Sequence, residues 1–93
     1  MADGEETTAQ NAQNDILALC DALLALSSRD EAHRFIRDLC TPAEVAALAE
    51  RWRIASLLDA GGLSYRAIAA ETGASTTTVA RVARFLRGLR DHV

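Results

Sequence analysis

Apolar residues recur along this chain at helical spacing from Ile16 onward, and no run alternates apolar with polar residues for long enough to suggest a strand. Ile16, Leu17, Leu19, Cys20, Leu23, Leu24 and Leu26 mark one face of a first helix over about 15–26. Ser28 and Glu31 stand at capping-box spacing and open a second, shorter helix with Ala32, Phe35, Ile36 and Leu39 on its inner face. The third helix has the fullest start signal, with Thr41 as N-cap, Pro42 at the first helical position and Glu44 three residues after the cap. It runs to Ala60, where Gly61 and Gly62 stop it. Ser64 caps a fourth helix over Tyr65–Thr72, ended by Gly73, and Ser75 caps a fifth from Thr76 to about Arg87, ahead of Gly88.

The third helix is unusual in being apolar on two sides. Wound at about 100° per residue, it puts Val45, Leu48, Ala49, Trp52, Ala55 and Ser56 on one side and Ala47, Ile54 and Leu58 on another, leaving a narrow polar strip. Five helices in one chain cover such an element poorly, whereas an interlocked homodimer covers it well. The expected fold class is therefore all-α, five helices. Residues 1–13 show no hydrophobic periodicity and read as a disordered acidic tail. Residues 14–62 read as a helical dimerisation region and 63–90 as a helix-turn-helix, all within one domain.

At 93 residues, 49% hydrophobic and 25% charged, the chain has the composition of a small soluble domain and is too short for separate cofactor and substrate lobes. Its net charge of −3 argues weakly against a nucleic-acid partner until the chain is divided. Residues 1–50 carry three Arg against ten acids, and residues 51–93 carry seven Arg against three. Asymmetry of this kind points to a nucleic-acid or membrane partner for the basic half. All ten basic residues are Arg, which excludes lysine Schiff-base chemistry and a Walker-type phosphate loop.

The first residues are acidic where a secretory signal is basic and then apolar, and no apolar run approaches the roughly 18 residues that span a bilayer. A cytoplasmic protein without a membrane partner is expected. Cys20 and Cys40 read as small buried core residues; joined with His33 and His92 they lack the close ligand pairs of a structural zinc site. Neither metal nor cofactor is expected. No Ser, Cys or His stands in a nucleophile-base-orienter pattern, so the chain does not read as an enzyme.

The informative segment is YRAIAAETGASTTTVARVARFL, residues 65–86. Two helices meeting at a sharp angle need a small residue at their contact, a residue that tolerates positive φ in the turn, and apolar residues on the second helix facing the first. Ala69, Gly73, Val79 and Val82 supply these at helix-turn-helix offsets. On the fifth helix, Val79, Val82, Phe85, Leu86 and Leu89 define the side expected to be buried, with Thr78 turned inward. Thr76, Thr77, Ala80, Arg81, Arg84 and Arg87 form the opposite side, which holds three Arg, two Thr and no acid. Guanidinium groups suit guanine edges and phosphate, and Thr suits base edges, so double-stranded DNA is the expected partner. Three successive β-branched Thr are also poor choices for helix propensity alone. The competing reading is an all-helical protein-interaction module whose helix-turn-helix contacts another protein.

The stretches LCTPAEVAALAERWRIASLL (39–58) and SYRAIAAETGASTTTVARVARFL (64–86) resemble the Trp repressor superfamily, and within it the YerC/YecD-type branch of small TrpR-related regulators. The resemblance covers about residues 15–87. It implies an all-α homodimer with interlocked N-terminal helices, acting as a sequence-specific transcriptional regulator, a repressor by analogy, on a near-palindromic site. Family DNA contacts fall on Arg66, Ser75, Thr76, Thr77, Ala80 and Arg84. Thr41, Arg51 and Arg81 match positions that hold the amino acid in tryptophan-binding members. Val82 and Phe85 replace the Gly and Ser of those members, which is expected to fill the slot and remove a hydroxyl partner for the ligand. A small-molecule corepressor stays open on this reading, but tryptophan is disfavoured.

Overall fold

The computed structural model describes the backbone of residues 2–91 and the side chains of residues 7–89. Five helices follow one another: α1 (Ala2–Leu24), α2 (Arg29–Leu39), α3 (Pro42–Ala60), α4 (Tyr65–Thr72) and α5 (Thr76–Asp91). The described residues contain no strand, as the hydrophobic pattern requires. They divide into two units, residues 1–39 and 40–93.

In the first unit, α1 takes in residues 2–13, assigned above to a disordered tail. Burial periodicity is silent there because the segment has no apolar face. Its Ala, Glu and Gln residues are nonetheless good helix formers, and Gln10 Nε2 donates to Asn14 Oδ1 at 3.1 Å one turn on. Met1 and the side chains of residues 2–6 lie outside the described residues. The apolar stripe of α1 is exposed, Leu24 at 84% and Ile16 at 54%, and α2 has no buried residue. Cys20 is accordingly exposed, and Cys40, at the start of the second unit, is half-buried; both are free thiols, where buried core positions are expected from their type. The α2 capping box is half formed: Glu31 N–H donates to Ser28 Oγ at 3.1 Å, but the Glu31 carboxylate takes the Ser27 hydroxyl instead.

The second unit carries the core. Ile54 and Ala55 of α3, Ile68 of α4, and Val79 and Val82 of α5 form one buried cluster, with Leu57, Leu58, Ala69, Ala74 and Leu86 packed against it. Thus α3, assigned by sequence to the dimerisation region, packs against both α4 and α5. Of its two apolar sides, this core covers the one bearing Ile54 and Leu58, together with Ala55. Leu48 and Trp52 on the other side are exposed.

The predicted caps on α3 and α4 form. Glu44 N–H donates to Thr41 Oγ1 at 3.2 Å, and Thr41 N–H donates to Glu44 Oε1 at 2.8 Å, a complete capping box. The Thr41 backbone N–H, and after it the Thr41 side chain, hold the Glu44 carboxyl below the ordinary carboxylate value. Gly61 ends α3 at φ 77°, and Gly73 ends α4 in the left-handed region at φ 80°, ψ 0°. Gly88 does not end α5, which continues to Asp91. It lacks the positive φ of a terminating glycine, and a glycine inside a helix weakens it without breaking it.

Candidate nucleic-acid interface

The turn between α4 and α5 is built by side chains as well as by Gly73. Thr72 Oγ1 donates to Ile68 O at 2.8 Å and accepts from Ala74 N–H at 3.3 Å, tying the end of α4 to the first residue beyond the glycine. Ser75 Oγ then accepts Thr78 N–H at 3.1 Å, so it caps α5. The small Ala69 packs against the core cluster, and the Gly73 N–H donates to its carbonyl at 2.9 Å. These features match the helix-turn-helix offsets read from the sequence.

Val79, Val82 and Ala83 are the buried residues of α5, and they fix which side of the helix faces out. Thr76, Thr77, Arg81, Arg84 and Arg87 are exposed, and Ala80 is half-buried between them. Arg66 is exposed in the first turn of α4, and Ser75 is exposed at the start of α5. Every residue expected at a DNA interface thus has side-chain surface in contact with solvent. Thr78 is half-buried, with its hydroxyl 3.0 Å from that of Ser75, as its inward placement requires.

Phe85 and Leu89, expected on the buried side of α5, are 65% and 53% exposed. Phe85 instead forms part of the wall of an open cleft of about 560 Å³ between α3 and α5, lined by Leu48, Arg51, Trp52, Ala55, Arg81, Val82 and Phe85. Two of the three residues assigned to an effector, Arg51 and Arg81, line this cleft. Thr41 is not among its lining residues; its hydroxyl caps α3. The expectation that Val82 and Phe85 fill the slot is not met in the single chain. Val82 belongs to the core cluster, and Phe85 stands largely in solvent, so neither closes the opening. No sequence motif marks Trp52 and Leu48 as cleft residues, but their place on the second apolar side of α3 is a signal for them.

Among the described residues no group of three or more His, Cys, Asp or Glu could hold a metal ion; His92 lies outside them. No helix of the described residues is long and apolar enough to cross a membrane.

The arrangement defines a class, the all-α proteins that expose one helix of a helix-turn-helix as a basic face. The chain belongs to the Trp repressor protein family, whose model matches residues 14–93. It is 44% identical over 68 residues to the uncharacterized protein YerC of Bacillus subtilis (strain 168), a match covering 73% of this chain and 64% of that protein. The chain therefore aligns with less than two thirds of the length of this curated relative. A solved structure of a TrpR-like protein from Eubacterium eligens ATCC 27750 is 40% identical, with a TM-score of 0.69 over 78% of this chain and 74% of the other.

Proposed function

We propose that this protein is a sequence-specific DNA-binding transcriptional regulator, a repressor, that acts in the cytoplasm as a homodimer on a near-palindromic site. The observation that carries the reading is the outer side of α5, where Thr76, Thr77, Arg81, Arg84 and Arg87 are exposed together and no acid intervenes. α5 enters the major groove; Thr77 and Arg84 read base edges, Ser75 and Thr76 approach at its N-terminus, and Arg66, Arg81 and Arg87 engage phosphate.

Exposed apolar surface on both units supports the dimer. The α1 stripe of Ile16, Leu17, Leu19 and Leu23 needs a cover, as do Leu48, Trp52 and Phe85 around the cleft. A second copy supplies it, and its α5 then reaches a half-site about one helical turn away. A small-molecule corepressor has room in the cleft, but tryptophan does not fit its chemistry. The lining side chains include two guanidinium groups and no carboxylate or hydroxyl to accept from an α-ammonium group.

Selection of bound fragments from random DNA with the purified protein tests the reading. Enrichment of an inverted repeat, with affinity falling steeply as salt rises, is expected. Recovery of no preferred sequence, together with salt-independent association, sinks it.

A further inference from the structure

Glu71 is the one acidic residue between Asp59 and Asp91, so it stands alone in the segment that meets DNA on the reading above. A free carboxylate there would oppose a polyanion. It is not free. Glu71 Oε2 accepts a hydrogen bond from Nη2 of Arg53 on α3 at 3.3 Å, across helices 18 residues apart in sequence.

Position decides what the pair can do. Glu71 precedes Thr72, whose hydroxyl ties α4 to Ala74, and Gly73, which makes the turn into α5. Arg53 precedes Ile54, the fully buried residue that α3 contributes to the core. The pair therefore joins α3 to α4 at the end of α4 from which α5 departs. The same junction holds the apolar core cluster, whose hydrophobic attraction is non-directional. A charged hydrogen bond has a preferred direction. Both side chains are more than half exposed, 57% and 54%, so solvent screening leaves the pair little weight in overall stability.

We infer that Arg53 and Glu71 are a positioning pair that fixes the pose of the helix-turn-helix on α3, acting on DNA discrimination far more than on folding. The inference rests on the DNA-binding reading for its functional half, and its structural half is measurable without DNA. The two single neutralisations change net charge in opposite directions but break the same bond, which separates positioning from bulk electrostatics.

The test uses the full chain as wild type, Arg53→Gln, Glu71→Gln and the charge-swapped double variant Arg53→Glu/Glu71→Arg, which keeps the net charge. Three readouts are needed: Tm, amide exchange over residues 69–78, and the affinity ratio between the selected site and a scrambled duplex. Both single variants are expected to lower that ratio about two- to fivefold and to speed exchange in the turn, with Tm moving no more than about 4 °C. The double variant recovers the ratio and the exchange rates. If Glu71→Gln tightens and Arg53→Gln weakens all DNA alike with the ratio unchanged, charge alone is at work and the inference is overturned. Unchanged exchange in both single variants overturns it too. If wild type binds no DNA, the functional reading fails and takes the DNA half of the inference with it, while exchange still decides whether the pair holds α4.

Discussion

Ser75 and Thr78 are bonded twice at the head of α5: Ser75 Oγ accepts Thr78 N–H at 3.1 Å, and the two hydroxyls lie 3.0 Å apart. The bond commits Thr78 to the helix start, gives Ser75 a capping role beside the one proposed for it at DNA, and leaves Thr76 and Thr77 outside the cap. Ser75→Ala is expected to cost about 0.5–2 kcal/mol as a lost cap, lowering Tm by several degrees. Thr77→Ala leaves Tm within about 2 °C, since surface changes away from such features are small, and relaxes base preference by about 1–3 kcal/mol. Thermal melts paired with binding to the selected duplex check both. Equal Tm losses from the two substitutions would contradict that assignment.

The Glu44 carboxyl is held below its ordinary value of 4.5 by the Thr41 donors. A carboxyl whose folded-state value is depressed stabilises fully above its unfolded value and loses that contribution as pH falls through the folded one. The capping box should therefore support α3 in full above about pH 4.5 and fail progressively below it. Urea midpoints for wild type and Glu44→Gln are expected to differ near neutral pH and to converge as the solution is acidified. A gap that stays constant with pH argues against this origin.

Gly73 sits at φ 80° with nothing within 4 Å of where a Cβ would stand. Alanine there meets no steric obstacle and suffers only the left-handed backbone penalty, about 1–2 kcal/mol. A Tm fall of roughly 4–8 °C per kcal/mol is expected, with the helix content of the folded protein unchanged. Gly88→Ala, inside α5 at ordinary φ, should be neutral or stabilising, and the opposite order in the melts would refute the assignment of the turn.

Ile54 is fully buried at the centre of a core with few other members. Ile54→Ala should cost about 2–5 kcal/mol, a large share of the roughly 5–15 kcal/mol that holds a domain folded, and lower Tm by about ten degrees or more. Circular dichroism decides it. Native-like melting in the variant would mean that the cluster is not the principal core.

L-tryptophan is expected to give no binding heat at micromolar protein, because the cleft offers guanidinium groups to a carboxylate but no acceptor side chain to the ammonium group. Saturable micromolar binding in isothermal titration would show that the substitution to Phe85 is tolerated by an effector site.

Helix number, the caps on α3 and α4, and the helix-turn-helix offsets are legible in the sequence because each depends on residues within one or two turns. Thr41 with Glu44, Ser64 with Ala67 N–H and Gly73 at positive φ are local devices, and they form as their spacing requires. The start of α1 escapes because its first half has propensity without an apolar face, and the end of α5 escapes because an interior glycine resembles a terminating one. Family membership is legible for a related reason: the Thr-Pro-x-Glu start, the Arg-x-Arg pair and the ETGAS turn lie in fixed register along two helices and one turn.

Which residues of α5 share a face follows from the order of residues alone, since helical winding is a property of the backbone. Which parts of the apolar arcs are covered follows from packing. Periodicity groups Val82 and Phe85 on one side of α5, yet the packing of α3 and α4 buries the first and leaves the second on the wall of a cleft. It also brings Arg53 to Glu71 and puts Arg51 and Arg81 on the walls of one cleft, because burial and pairing depend on what lies opposite a side chain, and spacing along the chain does not contain that information.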